Sequence, residues 1–225
     1  MTMAPDFLAA LTFAAGKLPG SRTLPWPSPK MVDGFVEFAE FDEWKQVILG
    51  FRLSAGVPLN MADLFDRALK LYLAAWLDFD LVTAGETAAL AALEHSLRDC
   101  YLQDFKDRHD KKVVAKAESE KRSPTPKECF QSKNVSFFNL LEHMHKHDGL
   151  TDDKLPFVCR YGGSVVRLLS AEGDPSLADM RNVRAHGTPF GSGYQSGLLE
   201  LVRDLIEYAY RAKIHAAIAI TSAER

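Results

Sequence analysis

Large apolar residues recur at helical spacing through the middle of this chain. Between residues 60 and 83 they fall at Phe65, Leu69, Tyr72, Trp76 and Phe79, steps of four and three that line one face of a helix. Asp66, Arg67 and Lys70 lie mostly off that stripe. Gly85 interrupts the pattern, and a second long helix is expected from about Glu86, with Leu90, Leu93, Leu97 and Tyr101 on its apolar face. Two long amphipathic helices with a tight connection predict an antiparallel hairpin in a bundle. The second helix then turns hydrophilic. KDRHDKKVVAKAESEKRSPTPKE, residues 106 to 128, has almost no large apolar group. It reads as a solvated helical extension followed by a loose loop. A last helix is predicted from about Tyr194 to Ile220, with Leu198, Val202, Leu205 and Ala209 inward and Glu200, Arg203 and Asp204 largely outward.

The remaining segments are shorter. FLAALTFAAG (7–16) predicts a short helix burying its Leu and Phe. LPGSRTLPWPSPK (18–30) holds four prolines and predicts an extended arm. FDEWKQVILGFRLSAG (41–56) predicts a helix ending near Gly56 and Pro58, and Asn60 is a plausible N-cap for the next helix. A short helix is expected at 135–147. Gly162-Gly163 marks a turn, and SVVRLLSAEG predicts another short helix. Asp174 as N-cap and Pro175 at the first position predict one more, with Leu177, Met180 and Val183 on its apolar side. No strand pattern stands out, nor any repeat of solenoid period. The expected fold is all-α: an up-and-down helical bundle with a long helical hairpin and a charged insertion at about 106–133. Residues 1–40 form an N-terminal helix and Pro-rich arm, and 41–225 the bundle.

Composition narrows the setting. The net charge of -3 excludes an overall polycation, so nucleic-acid binding would need a local patch. Cys100, Cys129 and Cys159 are odd in number, widely spaced and without a Cys-x-x-Cys pair. They argue against a disulfide framework and fit a reducing cytoplasm. The N-terminal apolar run lacks a basic n-region, and no charge-free stretch reaches membrane length. A cytoplasmic protein with no membrane partner is expected.

Three segments carry candidate chemistry. In 106–128 basic residues outnumber acidic ones, and Lys111, Lys112, Lys116, Lys121 and Arg122 could contact phosphates; the plainer reading is a solvated insertion. HMHKHD (143–148) suggests a metal, with His143 and His147 on one helical face and His145 elsewhere. A third ligand would have to come from another segment, and basic residues near a helix C-terminus are explained by the helix dipole alone. The third is ADMRNVRAHG, 178–187. Among 13 Arg and 7 His, about 0.4 Arg-x4-His pairs are expected by chance. Requiring Asn directly after the Arg lowers this below about 0.01.

The motif Arg181-Asn182-Val183-Arg184-Ala185-His186, followed by Gly187 and a final long helix, resembles that of the HEPN superfamily. Those domains are helical bundles marked by an Arg-x4-6-His motif, often with a polar residue after the Arg. The hairpin ALKLYLAAWLDFDLVTAGETAALAALEHSLRD upstream is similar too, so the likeness covers about 41–220. The resemblance implies a metal-independent endoribonuclease acting as a homodimer, with no cofactor and the two motifs meeting at the interface. It also admits a catalytically silent member. Some toxin members carry Tyr two residues after the His; here Thr188 stands there, which puts regulation through that tyrosine in doubt.

The residues suit that chemistry on their own terms. RNA supplies its own nucleophile, the ribose 2′-OH. His186 suits proton transfer and Arg181 the phosphate charge; Asn182 can orient the His or donate to a phosphate oxygen. Arg184, Lys111 and Lys112 are secondary substrate contacts. RNA, a second copy of the chain and an antitoxin or other regulatory protein are the expected partners, in a toxin–antitoxin or phage-defence setting. Two alternatives remain: a silent helical binding or dimerisation module, and a metal-binding helical-bundle hydrolase using His143 and His147. A reading without chemistry pairs Arg181 with Asp179 or Glu172 and makes His186 a helix cap.

Overall fold

The computed structural model describes residues 3–18, 20–27, 34–123, 125, 128–170, 175–185 and 196–223; at 184–185 and 221–223 only the backbone is described. Among these residues the chain is an all-α bundle with one small hairpin. Its helices are α1 (Pro5–Ala15), α2 (Phe41–Leu49), α3 (Leu59–Ala74), α4 (Leu81–Ser119), α5 (Phe137–Lys146), α6 (Pro156–Tyr161), α7 (Leu177–Ala185), α8 (Leu198–Ala209) and α9 (Arg211–Ala223). Strands β1 (Arg22–Pro25) and β2 (Phe35–Phe38) pair antiparallel, with Arg22 opposite Phe38 and Pro25 opposite Phe35. At four residues each, with Pro25 ending β1, they are too short to announce themselves by alternation.

The helical hairpin is α3 with α4, and α4 is the spine of the molecule. Its 39 residues extend about 58 Å at 1.5 Å per residue. The first half is buried through Leu90, Leu93, Leu97 and Tyr101 against α3 and α8. The hairpin turn lies at 75–80, not at Gly85, which sits inside α4. Gly85 is there for close packing: a Cβ at this position would come within 2.6 Å of the Tyr72 ring. Tyr72 in turn gives its carbonyl to the Trp44 indole N–H at 2.8 Å, tying α2 to the hairpin. Trp44, Phe38, Phe41 and Trp76 pack edge to face around that bond. Leu24, Trp26 and Phe38 join the same core, so the N-terminal hairpin is packed against the bundle.

Several boundaries differ from the expectation. α2 stops at Gly50 rather than near Gly56. α3 begins at Leu59 after Pro58, and Asn60 is inside it rather than capping it. Residues 166–169 form only a 3-10 turn within the expected short helix. The predicted last helix is two, α8 and α9, parted at Tyr210. In α1, Leu11 is buried but Phe13 is exposed. The charged part of α4 does run on as a mostly solvated helix to Ser119.

The largest correction concerns α8. Glu200 and Asp204, expected outward, are buried. Glu200 takes hydrogen bonds from Arg160, from the Trp26 indole at 3.2 Å and from the Tyr161 hydroxyl at 3.1 Å. Asp204 accepts the Phe157 N–H at 2.7 Å through Oδ2, while its Oδ1 lies 2.9 Å from Arg203 Nε as an ion pair without hydrogen-bond geometry. A buried carboxylate is tolerated when donors surround it. Here the donors come from the N-terminal arm and α6, far away in sequence. No helix among the described residues is long and apolar enough to cross a membrane.

Candidate functional site

The described part of the motif, residues 181–185, lies on α7. Ser176 starts this helix: its hydroxyl accepts the Asp179 N–H at 3.2 Å, and the Asp179 carboxylate accepts the Ser176 N–H at 3.1 Å. That reciprocal box supplies the cap expected from Asp174, which lies outside the described residues. Leu177, Ala178 and Met180 are buried, so α7 lies down on α4 with Arg181 turned along the junction.

Arg181 is held from two sides. Its Nη2 pairs with Glu94 Oε2 at 2.8 Å, and its Nη1 donates to Asn182 Oδ1 at 3.1 Å. Asp179 is occupied by the cap rather than by Arg181, and Glu172, the other expected partner, lies outside the described residues. Glu94 Oε1 accepts from Arg98 Nη2 at 3.1 Å, one turn along α4. Arg98 is fixed further by the carbonyls of Val135 at 2.8 Å and Ser132 at 3.3 Å. One carboxylate therefore bridges two guanidinium groups. Arg181 remains 37 % exposed while Glu94 is largely covered. A guanidinium so placed has a fixed direction and still faces solvent, which is what an oxyanion contact needs.

The other predicted residues are scattered. His186 lies outside the described residues, as does the side chain of Arg184. Lys111 and Lys112 are exposed on α4. Lys112 is 18 positions beyond Glu94, about 27 Å along the helix, so the two lysines do not join Arg181 in one site.

His143 and His147 stack with ring centroids 5.1 Å apart. His143 is buried, and both its nitrogens are engaged. Arg108 Nη2 lies 2.7 Å from Nδ1, and Asp104 Oδ2 lies 3.4 Å from Nε2. A guanidinium can only donate, so Nδ1 is the acceptor and Nε2 carries the proton. Burial, with help from Arg108 and His147, pulls the imidazole pKa below its usual value and favours this neutral tautomer. A metal at Nδ1 would have to displace Arg108. Among the described residues no three His, Cys, Asp or Glu are grouped to hold a metal. His145 points away, its Nδ1 3.0 Å from the Leu150 carbonyl.

Two further groups escaped the sequence reading. Glu94 and Arg98 are an i,i+4 pair on a predicted helix, a visible signal, but nothing in the sequence connects them to Arg181. Asp204 lines a cavity of about 450 Å³ with Asp148, Glu207 and Arg211. Burial pushes its carboxyl pKa up to about 6, against the opposing pull of Arg203 and the Phe157 N–H. The three cysteines are free, and burial raises the Cys100 thiol to about 11, so it stays protonated at neutral pH. Comparison of the chain with family models, with curated proteins and with solved structures finds no match.

Proposed function

We propose that the protein is a metal-independent endoribonuclease working as a homodimer, with Arg181, Asn182 and His186 as its catalytic residues. The observation that carries this reading is Arg181 itself: a guanidinium fixed by Glu94 and Asn182, yet still open to solvent. It would hold the non-bridging oxygens of a phosphodiester as the adjacent 2′-OH attacks. His186 would take the 2′ proton or return one to the leaving 5′ oxygen. Bond formation from O2′ to phosphorus and loss of O5′ leave a 2′,3′-cyclic phosphate and a 5′-hydroxyl. A dimer with two-fold symmetry would bring two motifs together and supply one histidine for each proton transfer.

The test is incubation of purified protein with labelled RNA in EDTA, with His186→Ala and Arg181→Ala in parallel. Cleavage by wild type alone, with cyclic phosphate ends and a dimer retained in the variants, is the expected result. Undiminished cleavage by His186→Ala removes the proposal.

The Glu94 pair also favours a second reading. A carboxylate at 2.8 Å neutralises much of the charge that a phosphate would meet. On that reading the domain is a silent helical module that binds RNA or protein without turnover, and no variant changes an absent activity.

A further inference from the structure

Arg108 sits on the wall of a cavity of about 440 Å³, formed between the charged half of α4 and residues 129–135. That volume is within the range of small-ligand sites, about 300–1,000 Å³. Two cations reach it, Arg108 and Lys112, together with the His109 imidazole and two aromatic rings, Phe105 and Phe130. No carboxylate is among its described lining residues.

The partners of Arg108 are the telling feature. It donates to the Asp104 carbonyl at 3.2 Å and to the neutral ring nitrogen of His143 at 2.7 Å, and its guanidinium lies over the Phe105 ring. The Asp104 carboxylate is engaged on the far nitrogen of His143 instead. Half-buried, Arg108 is thus oriented without being neutralised. Lys112 follows one turn later on the same face of α4. His109 stands edge-on to Phe130, and its nearest acid is the exposed Asp110 beside it at 3.4 Å. Oriented cations next to a half-buried aromatic ring suit an anion that carries a flat ring. Phe130 also walls a second recess, of about 690 Å³, which holds Arg98 and Lys106 with one carboxylate, Asp99. A chain of such anions could pass from one recess to the other across it.

We propose that this cavity binds a nucleotide, with the phosphate at Arg108 and Lys112 and the base against Phe130. The site is separate from Arg181 and does not depend on cleavage there. The ligand could be a free mononucleotide or one unit of a single strand. Stacking of a base on an aromatic ring contributes enough to binding that its loss is measurable as a fold-change in affinity.

The experiment is calorimetric titration of the full chain with AMP, adenosine, inorganic phosphate and pentadeoxyadenylate. That strand lacks the 2′-OH, so it cannot be cleaved by the proposed chemistry and the two proposals fail separately. The variants are Lys112→Ala and Phe130→Ala, chosen because Lys112 is exposed and Phe130 is outside any helix. AMP is expected to bind at least tenfold more tightly than adenosine or phosphate, and each variant to weaken it about fivefold or more. Tighter binding of the pentamer, lost in both variants, places the nucleotide in a strand; equal binding identifies a free nucleotide. Phosphate binding as tightly as AMP, no binding of AMP, or variants indistinguishable from wild type would overturn the proposal.

Discussion

Two arginines touch the long helix α4 and are held in opposite ways. Arg181 comes from α7 and meets a carboxylate, Glu94, at 2.8 Å. Arg108 is on α4 itself and meets only neutral acceptors, a carbonyl and the Nδ1 of His143. Both are oriented, but their charges differ in availability. An anion approaching Arg181 competes with Glu94 or adds to it, whereas one approaching Arg108 finds no carboxylate to displace. A site that must bind an anion and a site that must aim a charge at a reacting phosphate therefore need different surroundings. The two guanidinium groups, both against α4 but on different helices, have those two kinds of surroundings.

The strongest way to break this comparison is to remove the carboxylate. Glu94→Gln frees Arg181 and Arg98 together. If Glu94 aims Arg181, cleavage of labelled RNA falls about a hundredfold, since misdirection of a positioned group by about 1 Å costs that much. If Glu94 quenches the motif, the rate rises instead, and the silent reading gains.

Asp204 extends the comparison into the core. There the arginine, Arg203, does not outweigh burial, and the carboxyl pKa rises to about 6. A carboxyl raised on folding stabilises the native state most below its unfolded pKa, where it is protonated in both states, and that stability is lost as pH climbs through about 6. Wild type should therefore lose up to roughly 3 kcal/mol of unfolding free energy from this group between pH 4 and 7. Asp204→Asn should remove that part of the slope and be the more stable protein at pH 7. Urea unfolding at the two pH values measures it, and equal slopes would contradict the pKa assignment.

The smallest expected effect tests what holds Arg181 from its own side. Ser176→Ala removes the capping hydroxyl of α7 and should cost about 1 kcal/mol. Because α7 carries Arg181 and Asn182, urea unfolding followed by hydrogen exchange at α7 should show the loss concentrated there.

The fold was readable where one periodicity dominated. Phe65, Leu69 and Tyr72 identified α3, while Trp76 and Phe79 of the same stripe fall in the turn after it; Leu90, Leu93, Leu97 and Tyr101 identified the buried half of α4. The turn between them was misplaced because Gly85 reads as a breaker. Its reason for being glycine is the Tyr72 ring, which only the packed hairpin brings close. In the candidate site, Arg181 and Asn182 were legible as a motif. Glu94 was not connected to them, because 87 positions of chain separate it from Arg181. The basic stretch around Lys111 and Lys112 was legible as charge alone. That Lys112 belongs to a cavity with Arg108 and Phe130, and Lys111 does not, depends on how residues 129–135 cross α4.

The sequence by itself determined the helical character of the chain, the amphipathic hairpin, the charged continuation of α4 and the residue types available for chemistry. Those follow from period and composition, which act over a few residues at a time. Tertiary structure alone decided which polar groups are inside. Glu200 and Asp204 look solvated on a helical wheel, yet they are buried because Arg160, Trp26, Tyr161 and the Phe157 N–H converge on them. It also decided which cations remain unneutralised. Burial and ion pairing depend on neighbours brought together from distant parts of the chain, and no local pattern encodes their distances.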